Sequence, residues 1–74
     1  MNEETFNLSI RKFMKMVGIS SQREIEHAVA KAAAAGRLKG RESFPAKMTL
    51  EIAELEMKVE FNGDISLRWA ASLQ

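Results

Sequence analysis

The sequence contains no cysteine and only one proline among its 74 residues. Without cysteine it can form no disulfide framework, no thiolate metal site and no thiol nucleophile. Aromatic residues make up only 7% of the chain, which gives little support to a surface that stacks single-stranded nucleic acid. No apolar run is long enough to cross a bilayer, and the first residues are acidic where a secretory signal is basic. These absences predict a cytoplasmic protein that does not enter the membrane.

The composition is that of a folded chain rather than a disordered one, with 46% hydrophobic and 28% charged residues. At this length we expect a single domain spanning residues 1–74. The net charge is +1, but residues 1–47 hold nine lysines and arginines against five acidic residues, and residues 48–74 hold two against five. This division is either a chance distribution over solvated faces or a basic half that meets an anionic partner.

Helical periodicity dominates the first half of the chain. An apolar stripe predicts a first helix over residues 3–17, and a second helix is predicted over residues 22–35. Between them, Gly18 can close a helix in the left-handed conformation, and Ser21 and Glu24 stand at capping-box spacing. Gly36 is expected to be the residue that follows the second helix. The pattern therefore predicts a tight two-helix corner.

Such a corner is also found in DNA-binding helix-turn-helix proteins. That motif requires buried apolar side chains where this sequence has Glu24 and His27. The apolar residues of the second helix are displaced by one position, and the first helix of a three-helix unit is missing. The spacing thus favours a corner that only builds a core.

The period changes to two after Pro45, which indicates β-strands. Strands are predicted over residues 46–52, 55–61 and 65–69, with turns at Ala53-Glu54 and Asn62-Gly63. A plain two-residue turn at Asn62-Gly63 would send the third strand's apolar residues, Trp69 among them, to the opposite face, so we expect a bulge or a three-residue loop there. The predicted fold is α+β, in the order α-α-β-β-β, with both helices on one face of a three-stranded antiparallel meander and a loose tail over residues 70–74.

Candidate sites are few. The densest basic cluster consists of Arg37, Lys39, Arg41 and Lys47, with Lys31 nearby. It is either a solubilising set or a surface that grips phosphate or an acidic partner, and Arg23 is a further possible contact to an anionic partner. His27 is the only histidine and has no partner placed to complete a catalytic unit. Glu51 and Glu56 are expected to face each other across the first hairpin, where a screened pair is more ordinary than a metal or acid–base site.

Several segments resemble one family of short bacterial proteins that is catalogued as a domain of unknown function. The most specific is Val17-Gly18-Ile19-Ser20-Ser21-Gln22-Arg23-Glu24-Ile25-Glu26, and others are Leu38-Lys39-Gly40 and Pro45-Ala46-Lys47-Met48-Thr49-Leu50. The likeness extends to about Leu67, and the tail from Arg68 to Gln74 is longer than is usual in that family. The resemblance implies a small bacterial α+β domain and transfers no site residue.

The sequence contains no glycine fingerprint, metal-ligand cluster or nucleophile elbow. We therefore predict neither a catalytic residue nor a cofactor, and expect that the protein is not an enzyme. The first hypothesis is an accessory module that docks an unidentified protein partner, the chain itself being a monomer or a weak homodimer. The alternative is weak nucleic-acid binding through the basic helical half and the loop of residues 37–47.

Overall fold

A computed structural model describes residues 1–67 of the chain. The described chain divides into two compact units, one of residues 1–37 and one that begins at Leu38, and each is described by itself. The elements are one α-helix, two β-strands and a single turn of 3₁₀-helix between the strands: α1 (Glu3–Ala34), β1 (Ser43–Ile52), the 3₁₀ turn (Ala53–Leu55) and β2 (Met57–Ser66).

Both ends of α1 are capped. The side chain of Asn2 accepts a hydrogen bond of 3.0 Å from the backbone N–H of Thr5, and two glutamates occupy the first turn. At the other end Gly36 has φ of 73°, and its N–H donates to the carbonyl oxygen of Ala33. The next N–H, that of Arg37, donates to the carbonyl oxygen of Ala32, which completes a Schellman motif. The prediction for Gly36 is confirmed.

The predicted two-helix corner is wrong. A single helix of 32 residues runs through the positions assigned to the helices over 3–17 and 22–35 and through the residues between them. Gly18 is not among the glycines with positive φ, so it does not close a helix. A glycine inside a helix costs only about 1 kcal/mol relative to alanine. This penalty is small enough for the flanking helical residues to outweigh it.

The apolar stripe explains why the helix continues. Each residue of an α-helix turns about 100° from the last, so residues three and four apart share a face. The stripe of the first predicted helix passes without a change of phase into that of the second. A corner would have interrupted this phase. One continuous helix instead keeps the residues of the stripe, which are apolar apart from Ser21, on one side: Phe6, Ile10, Phe13, Met14, Val17, Ser21, Ile25, Ala28 and Ala32.

The second unit is an antiparallel hairpin in which β1 and β2 pair over all ten residues of each strand. Its register alternates apolar pairs with polar pairs, because successive side chains of a strand point to opposite faces. One face carries only apolar residues and a glycine, in the pairs Phe44–Ile65, Ala46–Gly63, Met48–Phe61, Leu50–Val59 and Ile52–Met57. The other face carries the pairs Ser43–Ser66, Pro45–Asp64, Lys47–Asn62, Thr49–Glu60 and Glu51–Lys58.

The predicted three-stranded meander is also wrong, because the described residues contain two strands. Asn62 and Gly63 do not form a turn but lie inside β2, opposite Lys47 and Ala46. A straight strand keeps Ile65 on the apolar face without any irregularity, which removes the conflict that a turn at this point creates. Trp69 and the predicted tail of residues 70–74 lie outside the described residues.

The connection between the strands differs as well. Ile52 pairs with Met57 rather than with Leu55, and β1 begins at Ser43, so the loop before it is shorter than predicted. The 3₁₀ turn is followed by Glu56 in the left-handed conformation, with φ of 53°. The fold of the described residues is thus α+β with one helix and a two-stranded antiparallel sheet, rather than α-α-β-β-β. The prediction that residues 1–74 form one domain stays a prediction.

Candidate functional site

The hairpin of the second unit has one apolar face, to which both strands contribute. This face contains four large side chains that are more than a third exposed, and within residues 1–67 no side chain is buried. The side chains at the middle of the face, Met48 and Phe61, are 44% and 57% exposed. A two-stranded hairpin is marginally stable by itself because one face of it stays in contact with solvent. In general, large exposed apolar patches occur at protein and membrane interaction sites and at ligand-binding grooves.

The loop before β1 is organised by one carboxylate. Glu42 accepts backbone N–H hydrogen bonds from three successive residues, at 2.8 Å from Lys39, 2.9 Å from Gly40 and 3.1 Å from Arg41. Gly40 has φ of 87°, a conformation that glycine adopts without strain. Successive N–H groups that converge in this way form a concave anion-binding nest. Here the anion comes from the same chain.

The hydrogen bonds of this nest alter the acidity of the carboxyl group. The N–H of Lys39, followed by the other backbone donors, lowers the pKa of Glu42 below its ordinary value of 4.5, since these donors stabilise the charged form. The carbonyl oxygen of Glu42 also accepts a hydrogen bond of 2.8 Å from the N–H of Leu67, which lies directly after β2. Glu42 therefore holds both the loop and the open end of the hairpin.

Sequence analysis missed the role of Glu42, although a signal was present. A glycine that can adopt positive φ stands two residues before a glutamate, between residues of basic charge. A carboxylate at that spacing is able to fold back onto the N–H groups of the preceding turn. The loop was analysed only for its cations, so the anion that organises it was overlooked.

The predicted basic cluster is distributed over both units. Arg23 and Lys31 lie eight residues apart on α1, about 12 Å along the axis, and Arg37 follows the helix. In the second unit, Lys39 and Arg41 flank Gly40 in the loop. Lys47 lies on the polar face of the hairpin, with its Nζ atom 3.7 Å from a carboxylate oxygen of Glu60. Both side chains of that pair are about half exposed, so it contributes little to stability.

The predicted carboxylate pair does not form. Glu51 lies opposite Lys58 on the polar face of the hairpin, and Glu56 occupies the left-handed position after the 3₁₀ turn. The connection between the strands has four residues instead of the predicted two, and this difference shifts the register so that Glu51 and Glu56 do not face each other. His27 lies exposed on α1. Within residues 1–67 no three histidine or acidic side chains come together in a group that could hold a metal ion.

Although α1 is 32 residues long, charged residues recur along it, and no helix within residues 1–67 has an apolar stretch that would cross a bilayer.

A capped helix and a hairpin with one apolar face define a small α+β protein. Comparison with known families places the chain more closely. It belongs to DUF6494, a family of unknown function, whose pattern matches residues 1–68. This match ends within one residue of the extent that the sequence resemblance indicates. No curated protein and no solved structure matches the chain.

Proposed function

We propose that this protein is a small, non-enzymatic bacterial module that acts in the cytoplasm by docking a protein partner. The observation that carries the proposal is the apolar face of the hairpin, which presents five cross-strand apolar positions with no buried side chain among residues 1–67. Such a face becomes stable when another polypeptide covers it.

The unpaired edges of the strands support one kind of partner. Within residues 1–67, β1 and β2 pair only with each other, so each has an outer edge that faces no further strand. β2 is ten residues long and free of proline, and a strand of that kind accepts an additional strand through main-chain hydrogen bonds. We therefore propose a partner that supplies an extended segment with alternating apolar side chains.

The test is affinity capture from a bacterial lysate at several salt concentrations, with matched baits. Phe61→Lys introduces a charge on the apolar face, and Asn62→Lys introduces the same charge one residue later on the polar face. A protein retained by the wild type and by Asn62→Lys but lost with Phe61→Lys supports the proposal. Circular dichroism establishes that both variants keep their secondary structure. Recovery of no specific protein at any salt concentration would overturn it.

A second candidate function is weak nucleic-acid binding by the basic residues. The side chains of Arg37, Lys39 and Arg41 form no ion pair with another residue of the described chain, so all three charges are available to phosphate. Binding would rely on side chains alone, because Glu42 already occupies the N–H groups of the loop. Fluorescence anisotropy with duplex and single-stranded oligonucleotides tests this candidate. We expect affinity that falls steeply with salt and is lost on reversing Arg37 and Lys39 to glutamate; no binding at low salt excludes it.

A further inference from the structure

The helix carries an apolar face that its own unit does not cover. Five large side chains on one side of α1 are between 39% and 51% exposed, namely Phe6, Ile10, Phe13, Met14 and Ile25. At about 200 Å² for a fully exposed large apolar residue, they present roughly 500 Å². A specific protein interface takes about 800 Å² from each partner. The five side chains alone supply more than half of that area.

The distribution of side-chain size along this face identifies an occupant. Four of the five bulky residues lie in the N-terminal half of α1, whereas the C-terminal half of the same face carries Ile25 and the small residues Ser21, Ala28 and Ala32. A parallel pair of such helices would place phenylalanine against phenylalanine at one end and leave a gap between alanines at the other. An antiparallel pair places large side chains against small ones, which is how packed layers interdigitate.

We propose that α1 dimerises with α1 of a second copy of this chain in antiparallel orientation, with the two-fold axis near Ile19. This inference concerns a different surface from the hairpin and does not depend on its partner. Because the axis lies at the level of residue 19, each residue n faces residue 38 − n of the other copy. The alignment produces four kinds of apolar or small contact: Phe6 with Ala32, Ile10 with Ala28, Phe13 with Ile25 and Val17 with Ser21.

Charge along the helix favours the same orientation. Arg11, Lys12 and Lys15 form a basic segment that lies alongside residues 23–27 of the other copy, where Lys12 faces Glu26 and Lys15 faces Arg23. Residues 23–27 hold two glutamates and one arginine, so their net charge is opposite to that of the basic segment. In a parallel pair, like charges would lie side by side. The helix dipoles also oppose each other in a parallel pair and complement each other in an antiparallel one.

The first measurement is the solution mass of the full chain by analytical ultracentrifugation. We expect a species of about 17 kDa, twice the 8.3 kDa of the chain, that dissociates on dilution. Phe13→Glu should give a monomer at concentrations where the wild type is dimeric. Leu8→Glu is the matched control, because it introduces the same charge on the opposite side of the helix at a side chain that is 50% exposed. A wild-type chain that stays monomeric at every concentration overturns the proposal.

Orientation is tested by cross-linking, which the absence of cysteine makes simple. Phe6 and Ala32 are 26 residues apart, about 39 Å along the helix, so they cannot be bridged within one chain. A mixture of F6C and A32C single variants should form a disulfide-linked dimer on oxidation, whereas F6C alone should not. Cross-linking of F6C to itself indicates a parallel pair and overturns the proposal. A dimer that survives Phe13→Glu but is lost with Phe61→Lys shows that the hairpin forms the contact, and overturns it as well.

These outcomes separate the dimer from the proposed function. A chain that dimerises through α1 but retains no specific protein from a lysate supports the helix proposal and counts against the hairpin proposal. A monomer that retains a partner sensitive to Phe61→Lys gives the reverse result.

Discussion

Replacement of Gly18 by alanine distinguishes a continuous helix from a two-helix corner. In α1 this glycine has no positive φ, and a Cβ atom added to it meets nothing within 4 Å. The change should therefore stabilise the protein by about 1 kcal/mol, the difference in helix propensity between glycine and alanine. If Gly18 closed a helix in the left-handed conformation, the same change would destabilise it by roughly 1–2 kcal/mol.

The matched control is Gly36→Ala. A Cβ atom at Gly36 also meets nothing within 4 Å, but its φ of 73° strains any other L-residue. We expect a loss of about 1–2 kcal/mol there, opposite in sign to the effect at Gly18. The two variants thus make the same chemical change in open space and differ only in backbone conformation.

The assay is thermal unfolding followed by circular dichroism at a fixed protein concentration, since self-association would make the midpoint depend on concentration. For a chain of this size 1 kcal/mol shifts the midpoint by about 4–8 °C. Gly18→Ala should raise Tm by that amount and Gly36→Ala should lower it. A lower Tm for Gly18→Ala would refute the continuous helix.

Three further changes probe the caps and the loop. Asn2→Ala removes the hydrogen bond to the N–H of Thr5 and should cost about 1 kcal/mol, measured by urea unfolding. Glu42→Gln should remove the part of the stability that depends on the charge of Glu42. Because the pKa of Glu42 is lowered in the folded state, this contribution is present above pH 4.5 and is lost as the pH falls through the folded-state pKa. The stabilities of the wild type and the variant, measured by urea unfolding, should therefore converge at acid pH. Glu56→Gly should raise Tm, because it relieves a left-handed residue with φ of 53°; an unchanged or lower Tm would contradict this.

The ends of the helix were predictable because capping is local. Asn2, the two acidic residues after it and Gly36 act on N–H and carbonyl groups within one turn, so their spacing alone indicates where the helix begins and ends. The interior was misassigned because Gly18, Ser21 and Glu24 satisfy the same local rules in the middle of a helix. Only the uninterrupted phase of the apolar stripe distinguishes a continuous helix from a two-helix corner, and this phase is a stronger indication than the local capping signals.

The sheet was misassigned for a related reason. Asn62-Gly63 is a strong turn signal by composition, but a turn there conflicts with the alternation of apolar residues along the strand. That conflict was visible in the sequence and was attributed to a bulge or a three-residue loop. The simpler resolution is the observed one, in which β2 continues straight to Ser66. The apolar alternation was predicted correctly within residues 46–52 and 57–61. Leu55, however, lies in the 3₁₀ turn, and Phe44 and Ile65 join the apolar face from outside the bounds predicted for these two strands.

The candidate site was only partly predictable. The alternating apolar residues of β1 and β2 define the face by sequence alone, but the opposition of Glu51 and Lys58 depends on the length of the connection, which composition does not determine. The role of Glu42 depends on a loop folding back on itself, a contact that periodicity cannot reveal.

The strict alternation of the hairpin also limits how sequences of this family can diverge. Each strand pairs over ten residues, with every apolar side chain on one side and every charged one on the other. Substitutions within either class leave that division intact. A single inserted or deleted residue inside β1 or β2 instead exchanges the two faces for all positions beyond it, whereas the same event in the 3₁₀ connection can be absorbed there. Variation in length should therefore be tolerated between the strands and not within them.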